Sequence, residues 1–254
     1  MKYPEIDKYA ELDSLIHRFD PRAKIITFTL LIFSFVFIED IRIAFASLLF
    51  SFFILLVSRI PFGFIFNRMK PGLIFVMPFL IVMPFALDGN VLYSYNGISI
   101  SYDGLYYGSL VVIRAATSIM LTLIMLGTTK MDTTMKSLHS LKVPSPFVQT
   151  LMFSYRYIFV FIDEFLSMWT SMKAKGFKVK ANKHSLSIIG NIVGMILVRS
   201  YERAERVYHS MASKGYTGES RTIVKFKMQT ADYGLAAILI GTVLIFIIYG
   251  MSLS

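Results

Sequence analysis

Five apolar stretches, joined by links whose basic residues are alternately many and few, restrict this chain to a bundle of membrane-crossing helices. The stretches are Ile25–Ile38, Ile43–Ser58, Pro71–Leu87, about Gly104–Thr129 and Tyr233–Ser254. A helix needs roughly 20 apolar residues to cross a bilayer. The first two runs are shorter, so they are expected to recruit Arg22, Lys24 and Arg59 at their ends, whose long side chains can snorkel. The link Glu39-Asp40-Ile41-Arg42 is short enough to force an antiparallel hairpin. Pro78 and Pro84 predict a kinked or broken third helix. Asn96-Gly97 marks a small hairpin within 88–103.

Loop charge predicts orientation. Lys and Arg number five in residues 1–24, one in 39–42, three in 59–70, none in 88–109 and sixteen in 130–230. The N-terminus, the 59–70 loop and residues 130–230 are therefore expected in the cytoplasm, with 39–42, 88–109 and the C-terminus outside. Residues 1–24 are polar and lack a cleavage pattern, so the first span is expected to direct insertion itself. The predicted class is an all-α membrane protein of about five transmembrane helices with a cytoplasmic domain of long amphipathic helices, in the cell (inner or plasma) membrane. Its predicted divisions are 1–129 with four spans, 130–230 cytoplasmic, and 231–254 with the last span.

The 130–230 segment carries sixteen basic and six acidic side chains, a net charge equal to the +10 of the whole chain. Three helices are readable in it, at about 130–141, 147–175 and 185–214. Val143–Tyr155 and His184–Val198 are apolar, but spanning there would carry lysines or arginines outward, so both are expected at or below the cytoplasmic interface. On the second helix Val148, Met152, Tyr155, Phe159, Ile162, Leu166 and Trp169 form a stripe. On the third Leu197, Tyr201, Ala204, Tyr208 and Met211 do. The two stripes predict mutual packing that presents the C-terminal ends together. Those ends repeat a phrase, Met172-Lys173-Ala174-Lys175-Gly176-Phe177 and Met211-Ala212-Ser213-Lys214-Gly215-Tyr216. Gly176 and Gly215 suit the left-handed residue that closes a helix. Lys175 and Lys214 stand beside the negative end of the helix dipole and can reach a partner's carboxylate. Phe177 and Tyr216, with Met172 and Met211, supply apolar support. Lys-Gly is an ordinary helix ending, yet two near-identical copies point to docking on a paired partner.

Other chemistry finds little purchase. There is no cysteine, and His17, His139, His184 and His209 are scattered, so no metal, cofactor-binding or catalytic residue is assigned. No nucleic-acid module accompanies the basic block, and no phosphate loop is present. Positive-inside bias, an acidic protein partner or the lipid bilayer accounts for the charge. Arg114 within the fourth stretch is expected to snorkel outward or to meet Asp103 or Asp88. Arg156, Asp163 and Glu164 read as a solvated face or intrahelical pairs. A membrane enzyme lacks intramembrane carboxylates or histidines, and a stand-alone secondary carrier lacks the repeats and polar sites it needs.

Several segments resemble the transmembrane (T) component of energy-coupling-factor (ECF) transporters, most closely its CbiQ-like cobalt branch, over almost the full length. They are His17-Arg18-Phe19-Asp20-Pro21-Arg22-Ala23-Lys24, Ser154-Tyr155-Arg156-Tyr157-Ile158-Phe159 and the run from Arg199 to Tyr208. Ala174-Lys175-Gly176 and Ser213-Lys214-Gly215 are similar to the family's two Ala-Arg-Gly motifs. Lys replaces Arg in both, and Ser213 replaces Ala, which keeps charge and loses the bidentate fork. The resemblance implies a non-catalytic coupling subunit whose coupling helices seat on two ATP-binding subunits (CbiO-like) and pass their closure to a membrane substrate-binding subunit (CbiM-like, with a CbiN-like companion). It implies ATP and Mg in the partner ATPases, none bound by this chain, and cobalt or nickel as cargo, with a vitamin as the alternative.

Overall fold

The computed structural model describes residues 9–87, 89, 91–95, 98–216 and 228–253, the side chains of 91–95, 98–100, 247 and 249–253 excepted. In chain order the elements are α1 (Leu15–Arg18), α2 (Pro21–Val36), α3 (Ile41–Ser58), α4 (Phe62–Ala86), β1 (Val91–Tyr95), β2 (Ile98–Ser101), α5 (Tyr102–Gly127), α6 (Met131–Ser140), α7 (Ser145–Ala174), α8 (Lys183–Ser213) and α9 (Thr230–Leu253). They fall into two compact units. One holds the described residues of 4–137 and 225–254, the other those of 138–224.

In the first unit α5 is central, packing against α2, α3 and α4, while α9 lies on α2. By length and composition α3, α4 and α5 can each cross a bilayer, and the chain is an all-α membrane protein. Phe28, Leu31 and Phe35 of α2, Ala44, Ile54 and Leu55 of α3, and Leu110, Leu121 and Ile124 of α5 build the core. Small residues let the helices approach. Ser47, Ser51 and Ser58 are buried and donate to carbonyls of their own helix at 2.7–2.8 Å, so none of these three hydroxyls is stranded. The closest approach is of α4 to α5. A Cβ at Gly104 would lie 2.4 Å from the Met83 carbonyl oxygen and 2.6 Å from Pro84 Cα, and one at Gly108 3.3 Å from Leu80 Cα.

Several details differ from the sequence-based expectations. Residues 62–70 are not a loop. They are the first turns of α4, which runs unbroken through Pro71, Pro78 and Pro84, each removing one donor that neighbouring packing tolerates. Lys24 does not snorkel. It is 1% exposed, and its Nζ donates to Thr129 Oγ1 at 2.8 Å and to the Thr128 carbonyl and hydroxyl at 3.3 Å. Arg114 does not pair with Asp103. Its guanidinium donates to the Ile38 carbonyl in the α2–α3 link, the side toward which it was expected to snorkel. About two α5 turns away, Tyr106 accepts from Ile41 N–H at 3.0 Å and donates to the Glu39 carbonyl at 3.3 Å. These two α5 side chains clamp the α2–α3 hairpin, whose α3 is N-capped by Asp40 (Arg42 N–H to Oδ1, 2.7 Å). The expected hairpin after α4 is present as antiparallel β1 and β2, with Tyr95 opposite Ile98. Its Asn96-Gly97 turn lies outside the described residues, as does Asp88.

The start of the bundle is tied by polar contacts. Asp20 N-caps α2 through Arg22 N–H at 2.8 Å, and its own N–H donates to Asp232 Oδ1 of α9 at 3.1 Å. In α1, His17 Nε2 donates to the Tyr9 carbonyl (2.8 Å) and Nδ1 lies 2.7 Å from Ser14 Oγ. Burial pushes its pKa below the ordinary 6.5, against a raising contribution from the Tyr9 carbonyl. A histidine with a depressed folded pKa stabilises the fold above the unfolded value, and that stability is lost as pH falls below about 6.5. Melting curves between pH 7 and 5 are expected to show a larger loss for the native chain than for His17→Gln. Parallel curves would refute this.

Candidate coupling site at paired helix tips

The second unit contains α7 and α8, of 30 and 31 residues. Pro144 and Pro146 open α7, where a missing N–H is harmless. Asn182 opens α8, its Oδ1 accepting Ser185 N–H at 2.8 Å. Residues 175–182 reverse the chain, so the two helices lie antiparallel. Met172 and Ile188 line one concavity at the connected end. Glu164 bridges the middle, 3.0 Å from Arg199 and 3.7 Å from Arg203. Tyr216 OH bonds Gln149 Oε1 at the far end.

The less exposed face of α8 is Ser185, Ile188, Ile192, Ile196, Ser200, Arg203, Val207 and Met211. Of the expected stripe only Met211 belongs to it. Leu197, Tyr201 and Tyr208 are 65, 71 and 59% exposed. On this face Glu164 of α7 meets Arg199 and Arg203, four residues apart, while the tyrosines point outward. Glu164, expected on a solvated face or in an intrahelical pair, instead reaches across to α8. The available signal was two arginines at i,i+4 facing one carboxylate at mid-length.

The helices end alike. Gly176 and Gly215 have φ of +83° and +80°. Phe177 N–H reaches the Met172 carbonyl at 3.1 Å and Gly176 N–H that of Lys173 at 3.0 Å. Tyr216 N–H reaches Met211 and Gly215 N–H reaches Ala212, both at 3.0 Å. Each is a complete Schellman motif. A Cβ on either glycine would meet nothing within 4 Å, so the glycine answers to backbone conformation alone. Ala174, Lys175, Gly176, Ser213, Lys214 and Gly215 are all exposed, and Met172, Phe177, Met211 and Tyr216 half-buried. Phe177 packs edge-on against Trp169 at 6.3 Å, with Lys173 Nζ 5.8 Å from the same ring. Among the described residues no ion pair holds Lys175 or Lys214.

Each tip is thus an ammonium on a flexible stem beside a braced aromatic ring, beyond a helix end of fixed geometry. The tips do not stand together, as the matching stripes had suggested. Antiparallel packing sets them at opposite ends of the pair. With Tyr216 beside Gln149, about 26 residues of α7 separate them, or about 40 Å at 1.5 Å per residue.

A largely helical membrane bundle and a long antiparallel helix pair with twin cationic tips define the class as an α-helical membrane protein. Residues 13–225 match the model of the CbiQ family, described as cobalt transport protein, and the chain belongs to that family. It is similar to the energy-coupling factor transporter transmembrane proteins EcfT of Bacillus subtilis (28% identity over 230 residues, 85% of this chain and 86% of the relative) and Macrococcus caseolyticus (24% over 246 residues, 92% of each). An uncharacterised protein of Methanocaldococcus jannaschii is 26% identical over 234 residues, covering 89% of this chain and 80% of that one.

Proposed function

We propose that this chain is the transmembrane coupling subunit of an ATP-driven ECF importer. One tip seats on each of two ATP-binding subunits (CbiO-like), and the membrane unit holds a substrate-binding subunit (CbiM-like, with a CbiN-like companion). The observation that carries this reading is the pair of matching, exposed Lys-Gly helix endings, with no ion pair to either lysine among the described residues, in a CbiQ-family chain. ATP and Mg belong to the partner ATPases, and the chain itself is non-catalytic. Orientation follows loop charge: the N-terminus and 130–230 face the cytoplasm, between membrane regions 1–129 and 231–254, in the plasma membrane. The family description favours cobalt, with nickel chemically adjacent. A vitamin is the second reading, because the name of the EcfT relatives specifies no metal.

The test is to change Lys175→Glu and Lys214→Glu together in the co-expressed complex. The ATPase subunits are expected to be lost on purification and uptake to fall at least tenfold, while the variant chain still reaches the membrane. Full copurification with unchanged uptake would overturn the reading. Uptake assays with cobalt, nickel and candidate vitamins then decide the cargo.

A further inference from the structure

The tips share a backbone but not a charge. From Phe165 to Tyr201 there is no Asp or Glu, and Lys173, Lys175, Lys178, Lys180 and Lys183 crowd the α7 end and the turn behind it. All five are exposed. Lys175, Lys178 and Lys180, with Phe177, His184 and Ser185, line a concavity of about 480 Å³. The turn is held without them. Asn182 caps α8, and Ser185 Oγ accepts Lys180 N–H at 3.2 Å, and among the described residues no ion pair holds Lys175, Lys178, Lys180 or Lys183. Around the second tip, residues 202–216 set Arg203, Arg206 and Lys214 against Glu202 and Glu205. Arg206 lies 3.9 Å from Glu202, and Arg203 faces Glu164 across the helices.

We propose that the Lys178–Lys183 turn is an electrostatic docking surface for an acidic patch on the subunit that receives the α7 tip, and that this tip is captured before the α8 tip. The proposal rests on the coupling reading above. Lys175 belongs at once to the tip and to the lysine-lined concavity, so whatever seats the tip faces the other lysines too. Several like charges on one exposed turn raise the association rate with an oppositely charged surface more than they slow dissociation, and salt screens the effect.

The test uses the chain in neutral phosphatidylcholine nanodiscs and the purified ATPase subunits. Lys178→Glu, Lys180→Glu and Lys183→Glu together should lower the association rate ten- to a hundredfold at about 50 mM salt, with dissociation little changed. The difference should close near roughly 0.5 M salt. A triple Lys→Gln variant should fall between. Arg206→Glu near the second tip should leave the rate within about twofold. A triple variant that associates at the native rate overturns the proposal. So does one whose sole defect is lost binding to anionic phosphatidylglycerol vesicles, which would assign the turn to lipid. If Lys175→Glu with Lys214→Glu releases the ATPases while the triple variant behaves as native, this inference fails and the coupling reading stands. If neither has an effect, both fail.

Discussion

Leucine at Gly104 is expected to separate α4 from α5 and to be among the most damaging single changes in the membrane unit. A Cβ there already falls inside contact distance of α4 backbone, at the Met83 carbonyl oxygen and Pro84 Cα. Backbone cannot swing aside as a side-chain end can. Overpacking of a tight contact typically costs about 1–3 kcal/mol, and a clash with backbone over a whole leucine belongs at or above the top of that range. Gly63, in the first turn of α4, is the matched control, since its Cβ would meet nothing within 4 Å. Gly63→Ala should be neutral or stabilise by up to about 1 kcal/mol through helix propensity. Thermal unfolding in detergent compares the two. Equal melting temperatures for Gly104→Leu and the native chain would remove Gly104 from the packing account.

The second large effect is at Glu164. Its side chain is 16% exposed and faces Arg199 and Arg203, 47 and 33% exposed. Removing the carboxylate leaves two guanidinium groups on one shared face. Breaking a fully buried pair costs about 3–5 kcal/mol, and water reaches these arginines, so about 2 kcal/mol is expected for Glu164→Gln, and more for Glu164→Arg. Stability is one readout. Spin labels at Ala174 and Ser213 give another, as the distance distribution between the tips should broaden in the single variants. The exchange Glu164→Arg with Arg199→Glu should recover part of the loss. A narrow, native-like distribution in Glu164→Arg would show that apolar contacts alone align α7 and α8.

Local features were legible in the sequence and distant partners were not. The helices at 131–140, 145–174 and 183–213 lie within about two residues of the runs read from periodicity, and the positive φ at Gly176 and Gly215 follows from Lys-Gly after a long amphipathic run. These depend on neighbours three to five residues away. Lys24 was read as a snorkelling end because its partners, Thr128 and Thr129, lie 104 and 105 positions on. Arg114 was expected to snorkel outward or to meet Asp103 or Asp88, and its acceptor was not foreseen because a pattern of side chains does not reveal an open backbone carbonyl such as that of Ile38. The α8 stripe was misplaced because Tyr201 and Tyr208 were counted as core, whereas the face turned inward carries Ile188, Ile192, Ile196, Arg203, Val207 and Met211. Matching stripes carry no direction, so the eight-residue reversal between the helices, and with it the opposite placement of the tips, escaped a reading by pattern.

Antiparallel packing makes the α7–α8 pair a caliper. Its opening is set by a number of residues, because each residue of helix advances a tip by about 1.5 Å and turns it by about 100°. Four residues added between Gln149 and Lys175 would move one jaw by about 6 Å and rotate it by about 40° past a full turn. A change confined to the lysines alters grip and leaves gauge alone. Which paired partner such a chain can serve is therefore a matter of helix length as well as of contact chemistry, and relatives that keep both tips but differ in the length between them should not exchange partners.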